Sequence, residues 1–270
     1  MDHIAVYAKI KLPIFSIKSP EAFQVGSALP IPQPSSLIGS LAYALAVTEG
    51  LSSDKALAKA RNITLAVGAY VNELIVPSTV VLRRFRVLDR GFERPKEKGA
   101  KLTEYDKLMK FLGEKDYYLA KLHLERSLTD ALYREYMFSI SMTCLWVFRE
   151  KIDVDILKLI SRLGDTESYA NVVKVWEDRC ELVRKRNIET RFPTLMVREK
   201  IEDIKGKYMI MKMCDKNRSL KWFIVPLARE IKRTTKGLKY FVYKPYRVII
   251  SFKEEVTTAK TSTDEILLGE

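Results

Sequence analysis

Two histidines, three cysteines and a surplus of lysine and arginine bound the chemistry open to this 270-residue chain. Imidazole acid–base catalysis must use His3 or His123, or not occur. Cys144, Cys180 and Cys214 lie far apart, with no Cys-x-x-Cys and few histidines to help them. They read as buried thiols in a reducing compartment, which argues against structural zinc and a disulfide framework. There is no Gly-rich phosphate loop, no Gly-x-Ser-x-Gly and no His-Glu-x-x-His, so nucleotide hydrolysis and zinc peptidase chemistry have no support. No catalytic residue, metal or cofactor is therefore assigned. Lysine and arginine number 47 against 34 acidic residues, a formal charge of +13. That excess favours a polyanionic partner, although heat-adapted proteins carry similar charge on merely solvated surfaces.

Two stretches have the residue types to hold phosphate. Along residues 29–47, Pro30, Pro32 and Pro34 keep the approach extended. Ser35 or Ser36 can then cap a helix whose apolar face is Leu37, Leu41 and Leu45, with Ile38 beside them. Free N–H groups, partial positive charge and two hydroxyls at such a terminus suit a phosphate. Gly39 in the first turn costs helix stability but admits another backbone closely. The same residues also fit a capped, buried helix whose serines bind only their own backbone. In the second stretch, Arg83, Arg84, Arg86, Arg90, Arg94, Lys96, Lys98 and Lys101 meet only Asp89, Glu93 and Glu97, with Phe85 and Phe92 interleaved. This suits an arm that closes over a nucleic-acid backbone, arginines on phosphates and rings against bases. A solvated loop has the same composition.

The elements that must carry these residues follow from periodicity. Residues 3–12 alternate, with Ile4, Val6, Ala8, Ile10 and Leu12 on one face and Ala5, Tyr7, Lys9 and Lys11 on the other. The second face can hold RNA or be ordinary surface. Helix is expected over 51–61 and strand over 63–71, joined at Asn72-Glu73 to an extended run over 76–88 that pairs with it. A short helix ends at Gly113, and residues 117–125 are expected extended. Residues 137–148 form a core strand, and Asp153 caps a helix that Gly164 stops. A last core strand is expected over 169–176. The order is that of a split β-α-β unit, ferredoxin-like or RRM-like, with helices on one sheet face and the other left for a ligand. Beyond residue 177 lie a second basic cluster, Arg179, Arg184, Lys185, Arg186 and Arg191, and a run from Lys232 to Arg247 with Tyr240, Tyr243 and Tyr246. The latter could line RNA or a protein neighbour. The expected fold class is α+β: residues 1–177 as the core with a basic insertion at about 84–130, residues 178–253 as a smaller β-rich lobe, and 254–270 as a flexible tail. Met-Asp-His-Ile begins no signal peptide, and no apolar stretch approaches the roughly eighteen residues of a membrane span. A cytoplasmic location and no membrane partner are expected.

Phe23-Gln24 followed by Pro-x-Pro-Ser-Ser-Leu-Ile-Gly-Ser-Leu-Ala-Tyr-Ala resembles the opening of the CRISPR-associated Cas-five family of RAMP proteins. Leu163-Gly164-Asp165-Thr166-Glu167-Ser168 is similar to a segment that follows that family's second core helix. The resemblance covers about residues 1–177; at Gln24 many relatives carry a basic residue. It implies a RAMP core with a thumb-like insertion, in a non-catalytic RNA-binding subunit of an antiviral Cascade complex, archaeal type I-A. Such a subunit caps the 5′ handle of the CRISPR RNA (crRNA) and abuts a Cas-seven-type backbone subunit and the large subunit, with target DNA reached at most indirectly. By resemblance Ser35 and Ser36 contact the handle, Arg83, Arg84, Arg86, Arg90 and Arg94 lead into the thumb, and Tyr7, Lys9 and Lys11 lie on the open face. The alternative is a metal-independent endoribonuclease acting on precursor CRISPR RNA. Some family members use a tyrosine, lysine and histidine set, and on a strand Tyr117, Lys121 and His123 would share one face.

Overall fold

The structure is a computed structural model that describes residues 3–22, 26–85, 104–165 and 168–268. Strand β1 (His3–Lys11) lies between β6 (Ser141–Phe148) and β7 (Asn171–Thr190), antiparallel to both. Beyond β6 comes β3 (Thr64–Val71); beyond β7 come β14 (Val248–Lys260) and β15 (Glu265–Leu267), with β9 (Ile201–Lys205) also on β14. The class is mixed α/β with antiparallel sheets. Even-numbered β1 residues Val6, Ala8 and Ile10 are fully buried with Cys144, Trp146 and Phe148 of β6. Two helices cover this face: α1 (Pro34–Glu49) through Leu37, Ile38, Leu41, Ala44 and Leu45, and α2 (Ser53–Ile63) through Ala56 and Ala60. Gly50, left-handed at φ 65°, ends α1 and returns its N–H to Ala46.

The expected second core helix is only a 3-10 segment, Val154–Leu159. Val154, Ile156 and Ile160 are β-branched, which lowers helix propensity, and the chain is extended by Ile160. Gly164 follows with φ 115°, where a Cβ would come within 2.7 Å of Ile17. Ser168 is fully buried, and its hydroxyl accepts a 3.0 Å bond from the Ser16 amide. The Asn72-Glu73 link does not make the expected hairpin. Asn72 and Glu73 bind Ser141 and Thr143 of β6, so β3 pairs with β6, and β4 (Val76–Phe85) pairs with β5 (Thr129–Phe138). The short β2 (Ile14–Phe15) joins β5 at Phe138 and Met137.

The chain divides into two compact units. The larger takes in Met1–Ala22, Ser27–Ser78 and Glu135–Glu270; the smaller, Phe23–Gly26 and Thr79–Arg134. The smaller holds α3 (Glu104–Gly113), α4 (Tyr117–His123) and a π turn (Leu124–Leu128) around Leu108, Ala120 and Leu128. In the larger unit, residues 178–253 are not a separate lobe. Strand β7 crosses that boundary unbroken for 20 residues, and β14 pairs along it. Around this sheet sit β8 (Thr194–Leu195), β10 (Met209–Cys214) and β11 (Leu220–Val225), and a ribbon of β12 (Leu227–Arg233) and β13 (Lys239–Pro245). Nor is 254–270 a loose tail through its described part, because β14 runs to Lys260 and β15 follows. Among the described residues no helix is long and apolar enough to cross a membrane.

The second face of the sheet is closed where it was expected open. Ala5 and Tyr7 pack with Leu145, Val147, Phe192, Ala259 and Ile266. Tyr7 stacks on Trp176 at 5.2 Å, and its hydroxyl is 2.7 Å from Thr261 Oγ1. Asp264, with no side-chain exposure, accepts bonds of 2.8 and 2.7 Å from Arg191 Nε and Nη2. That guanidinium lies 3.9 Å over the Tyr70 ring. Removing one member of a buried pair strands the other. Asp264→Ala is expected to cost about 3 kcal/mol, read as a lower urea midpoint at unchanged slope. Burial also pushes the Tyr7 hydroxyl up to about 12 from 10.0. The unfolded chain loses that proton first, so its contribution is complete below pH 10 and drains away as pH rises to about 12. Tyr7→Phe is expected to flatten part of the alkaline fall in stability, measured by urea unfolding at pH 9 to 12.

Candidate nucleic-acid interface

The three prolines deliver α1 as expected, but its serines do not cap it. Gln33 is the N-cap by backbone geometry, Pro34 fills the first helical position, and Ser35 and Ser36 stand inside the first turn. The Gln33 side chain instead accepts the Cys214 amide at 2.9 Å, tying the helix start to β10. This leaves the Ser35 and Ser36 hydroxyls without a protein partner among the described residues. They line a cleft of about 680 Å³ together with Ser161, Arg162, Gly164 and Arg218. Arg162 leans over the Tyr169 ring at 5.3 Å. Arg218 sits at φ 67° in a turn that Asp215 holds, its carboxylate accepting the Asn217 and Ser219 amides at 2.9 Å. Gly39 and Tyr43, the latter 54% exposed, continue the α1 wall. Among the described residues the lining holds two guanidinium groups and no carboxylate. Its electrostatics suit a phosphate, which the helix terminus and two arginines can share.

The other expected site residues fall elsewhere. Lys9 and Lys11 are exposed on β1, on the face away from α1, and Lys9 stands opposite Lys174. Tyr7 is on that face but only 1% exposed, so it offers no ring to a base. Arg83 and Arg84 lie in β4 of the smaller unit; Arg86, Arg90 and Arg94 lie outside the described residues. Residues 117–123 are helix rather than strand, because Asp116 caps the Leu119 amide at 2.9 Å. Tyr117 and Lys121 share a face, but His123 is turned about 200° from Lys121 on an ideal helix. His123 Nε2 is instead 2.8 Å from the Glu104 carbonyl and 3.3 Å from its carboxylate, with the ring edge-on to Phe111. The face those three were expected to share does not form.

Arg162, Arg218 and Tyr43 were not singled out by sequence. The available signals were the place of Arg162 just before Leu163-Gly164 and the turn-forming run from Asp215 to Ser219.

No protein-family model matches the chain. A CRISPR-associated protein Cas5 from Thermoproteus tenax is 29% identical over 170 residues, covering 63% of this chain and 64% of the relative. A CRISPR-associated protein Cas5 from Methanocaldococcus jannaschii is 28% identical over 185 residues, covering 63% and 62%. The chain thus spans less than two thirds of each curated relative. The crystal structure of a CRISPR protein from Archaeoglobus fulgidus shares the fold, with a TM-score of 0.59 over 99% of both chains at 13% identity. In both fold and sequence the chain is similar to CRISPR-associated proteins. Both curated relatives are Cas5 proteins, the family that the proline-serine-glycine stretch resembles.

Gly39 bears directly on the cleft. A Cβ there would meet nothing within 4 Å, so the described fold gives no steric reason for glycine in α1. Gly39→Ala is expected to raise stability by about 0.5–1 kcal/mol, read as a higher melting temperature. A lower one would show that the fold itself requires glycine.

Proposed function

We propose that the chain is a non-catalytic RNA-binding subunit of a Cascade-type surveillance complex, and that the α1 cleft seats the 5′ handle of the CRISPR RNA. The observation that carries this reading is the cleft: two serine hydroxyls in a helix's first turn line it with Arg162 and Arg218, and among the described residues the serines have no protein partner and the lining has no carboxylate. Phosphate contacts of this kind position a nucleic acid without reading its sequence. The exposed Lys9, Lys11 and Lys174 offer the strand a second, separate track. In this proposal the larger unit is a RAMP core of ferredoxin-like order, supported by the antiparallel run β7-β1-β6-β3. The basic insertion is its thumb, with Arg83, Arg84, Arg86, Arg90 and Arg94 on the RNA. Its neighbours are a Cas-seven-type backbone subunit and the large subunit of an archaeal type I-A complex. The engagement of the His123 ring with Glu104 and Phe111 supports the non-catalytic reading over the nuclease alternative.

The test is retention of a labelled guide with its 5′ handle by the purified chain in EDTA, over a range of salt. Arg162→Ala with Arg218→Ala is expected to weaken binding roughly tenfold and lower the salt slope by about 1.4, near 0.7 per lost phosphate contact on a single strand. The guide stays intact throughout. An unchanged slope would remove the cleft from the RNA path, and cleavage abolished by His123→Ala would make the chain a nuclease. Arg83→Ala with Arg84→Ala is expected to weaken binding and flatten the slope in the same way; no change would take these two off the RNA.

A further inference from the structure

The β12–β13 ribbon has a buried root and a bare tip. Leu227 and Val242 are 3% and 1% exposed, and Ile75 exchanges two backbone hydrogen bonds with Tyr243. Toward the tip, Ile231 is 61%, Leu238 68%, Tyr240 41% and Phe241 43% exposed. Among the described residues the ribbon is a sheet of two strands only, joined to other backbone by the Ile75 bridge. It carries Arg229, Lys232, Arg233, Lys236, Lys239 and Lys244 against the single acid Glu230. Glu230 is already engaged by the Tyr246 hydroxyl and lies 3.7 Å from Lys207. Arg233, Lys236 and Lys239 have no acidic partner among the described residues.

Alternation along the strands puts the cations on both sides. Arg229, Arg233 and Lys239 share one face, Lys232 and Lys244 the other, and Lys236 is at the turn. A single strand lying on one face would use only half of this charge. Phe241 also makes a poor stacking platform, because the Arg229 guanidinium covers one side of its ring at 3.7 Å. A groove with phosphates on both walls uses all of it. The major groove of B-form DNA, about 12 Å wide, admits a two-stranded ribbon, whereas that of A-form RNA is too deep and narrow. We propose that the β12–β13 ribbon is a second nucleic-acid site that enters the major groove of double-stranded DNA, with Ile231 and Leu238 toward the base edges. This surface shares no residue with the α1 cleft, and the proposal stands whether or not that cleft holds RNA.

The full chain would be titrated by fluorescence anisotropy with a labelled DNA duplex, the RNA duplex of the same sequence and a single-stranded RNA, beside a variant carrying Arg233→Ala, Lys236→Ala and Lys239→Ala. All three positions are exposed, so an unchanged melting temperature checks the fold. The wild type is expected to prefer the DNA duplex. The variant is expected to lose roughly tenfold in affinity for it, with a salt slope lower by up to about 2.7, while single-stranded RNA binding is unchanged. Dimethyl sulfate is expected to show guanine N7 protected by the wild type and not by the variant. An unchanged slope on DNA, equal affinity for the RNA duplex, or unprotected N7 positions would overturn the proposal. So would equal loss on single-stranded RNA.

Discussion

A carboxylate with no exposure to water must be paired or give up its charge, and Asp264 is paired completely. Arg191 meets it two-pronged, and Thr263 Oγ1 lies 3.0 Å from it. Tyr7 is drawn into the same group through Thr261. Three distant parts of the chain are thereby joined: the first strand, the end of β7 and the segment between β14 and β15. With that junction made, β14 continues to Lys260, Ile266 drops onto the sheet, and the face over Ala5 and Tyr7 is sealed. A ligand of the larger unit must therefore use other surfaces.

The α1 cleft is one such surface, and each wall is held by a local constraint. Gln33 spends its side chain on the Cys214 amide rather than on the helix start, which leaves the first turn to Ser35 and Ser36. Gly164, in a conformation that favours glycine and tight against Ile17, fixes the turn that follows Arg162. Asp215 organises the turn that presents Arg218, and Lys221 pairs with it at 2.9 Å, so the carboxylate is neutralised within its own turn. Arg162 and Arg218 are exposed, and neither has an acidic partner among the described residues. Fixed donors converging on one place are what a phosphodiester requires, and they need no acid–base group.

Local pattern was legible in the sequence where one residue's environment depends on near neighbours. The alternation of β1, the apolar stripe of α1 and the strand from Thr64 to Val71 all stand as read. The pattern could not say what covers a face. Tyr7 looks solvent-facing because its partners Thr261 and Asp264 lie more than 250 residues away. Residues 117–123 read as strand because Tyr117 and Tyr118 favour strands, while the Asp116 cap and the helix formers Leu119, Ala120 and Lys121 decide the outcome. Dense charge drew attention to residues 83–101, yet the cleft is lined by solitary arginines that converge only on folding. Clustering in sequence does not mark a cleft assembled from separate turns.

In the proposed function, RNA engages the larger unit through the first turn of α1 and the two arginine-bearing turns. Hydrogen–deuterium exchange of the chain with and without the handle RNA addresses it directly, because each wall has its own backbone amides. Slowed exchange is expected at residues 35–40, 161–164 and 217–219, with β1 around Tyr7 unchanged because it is already buried. Protection confined to other segments, with those three exchanging as in the free chain, would contradict it.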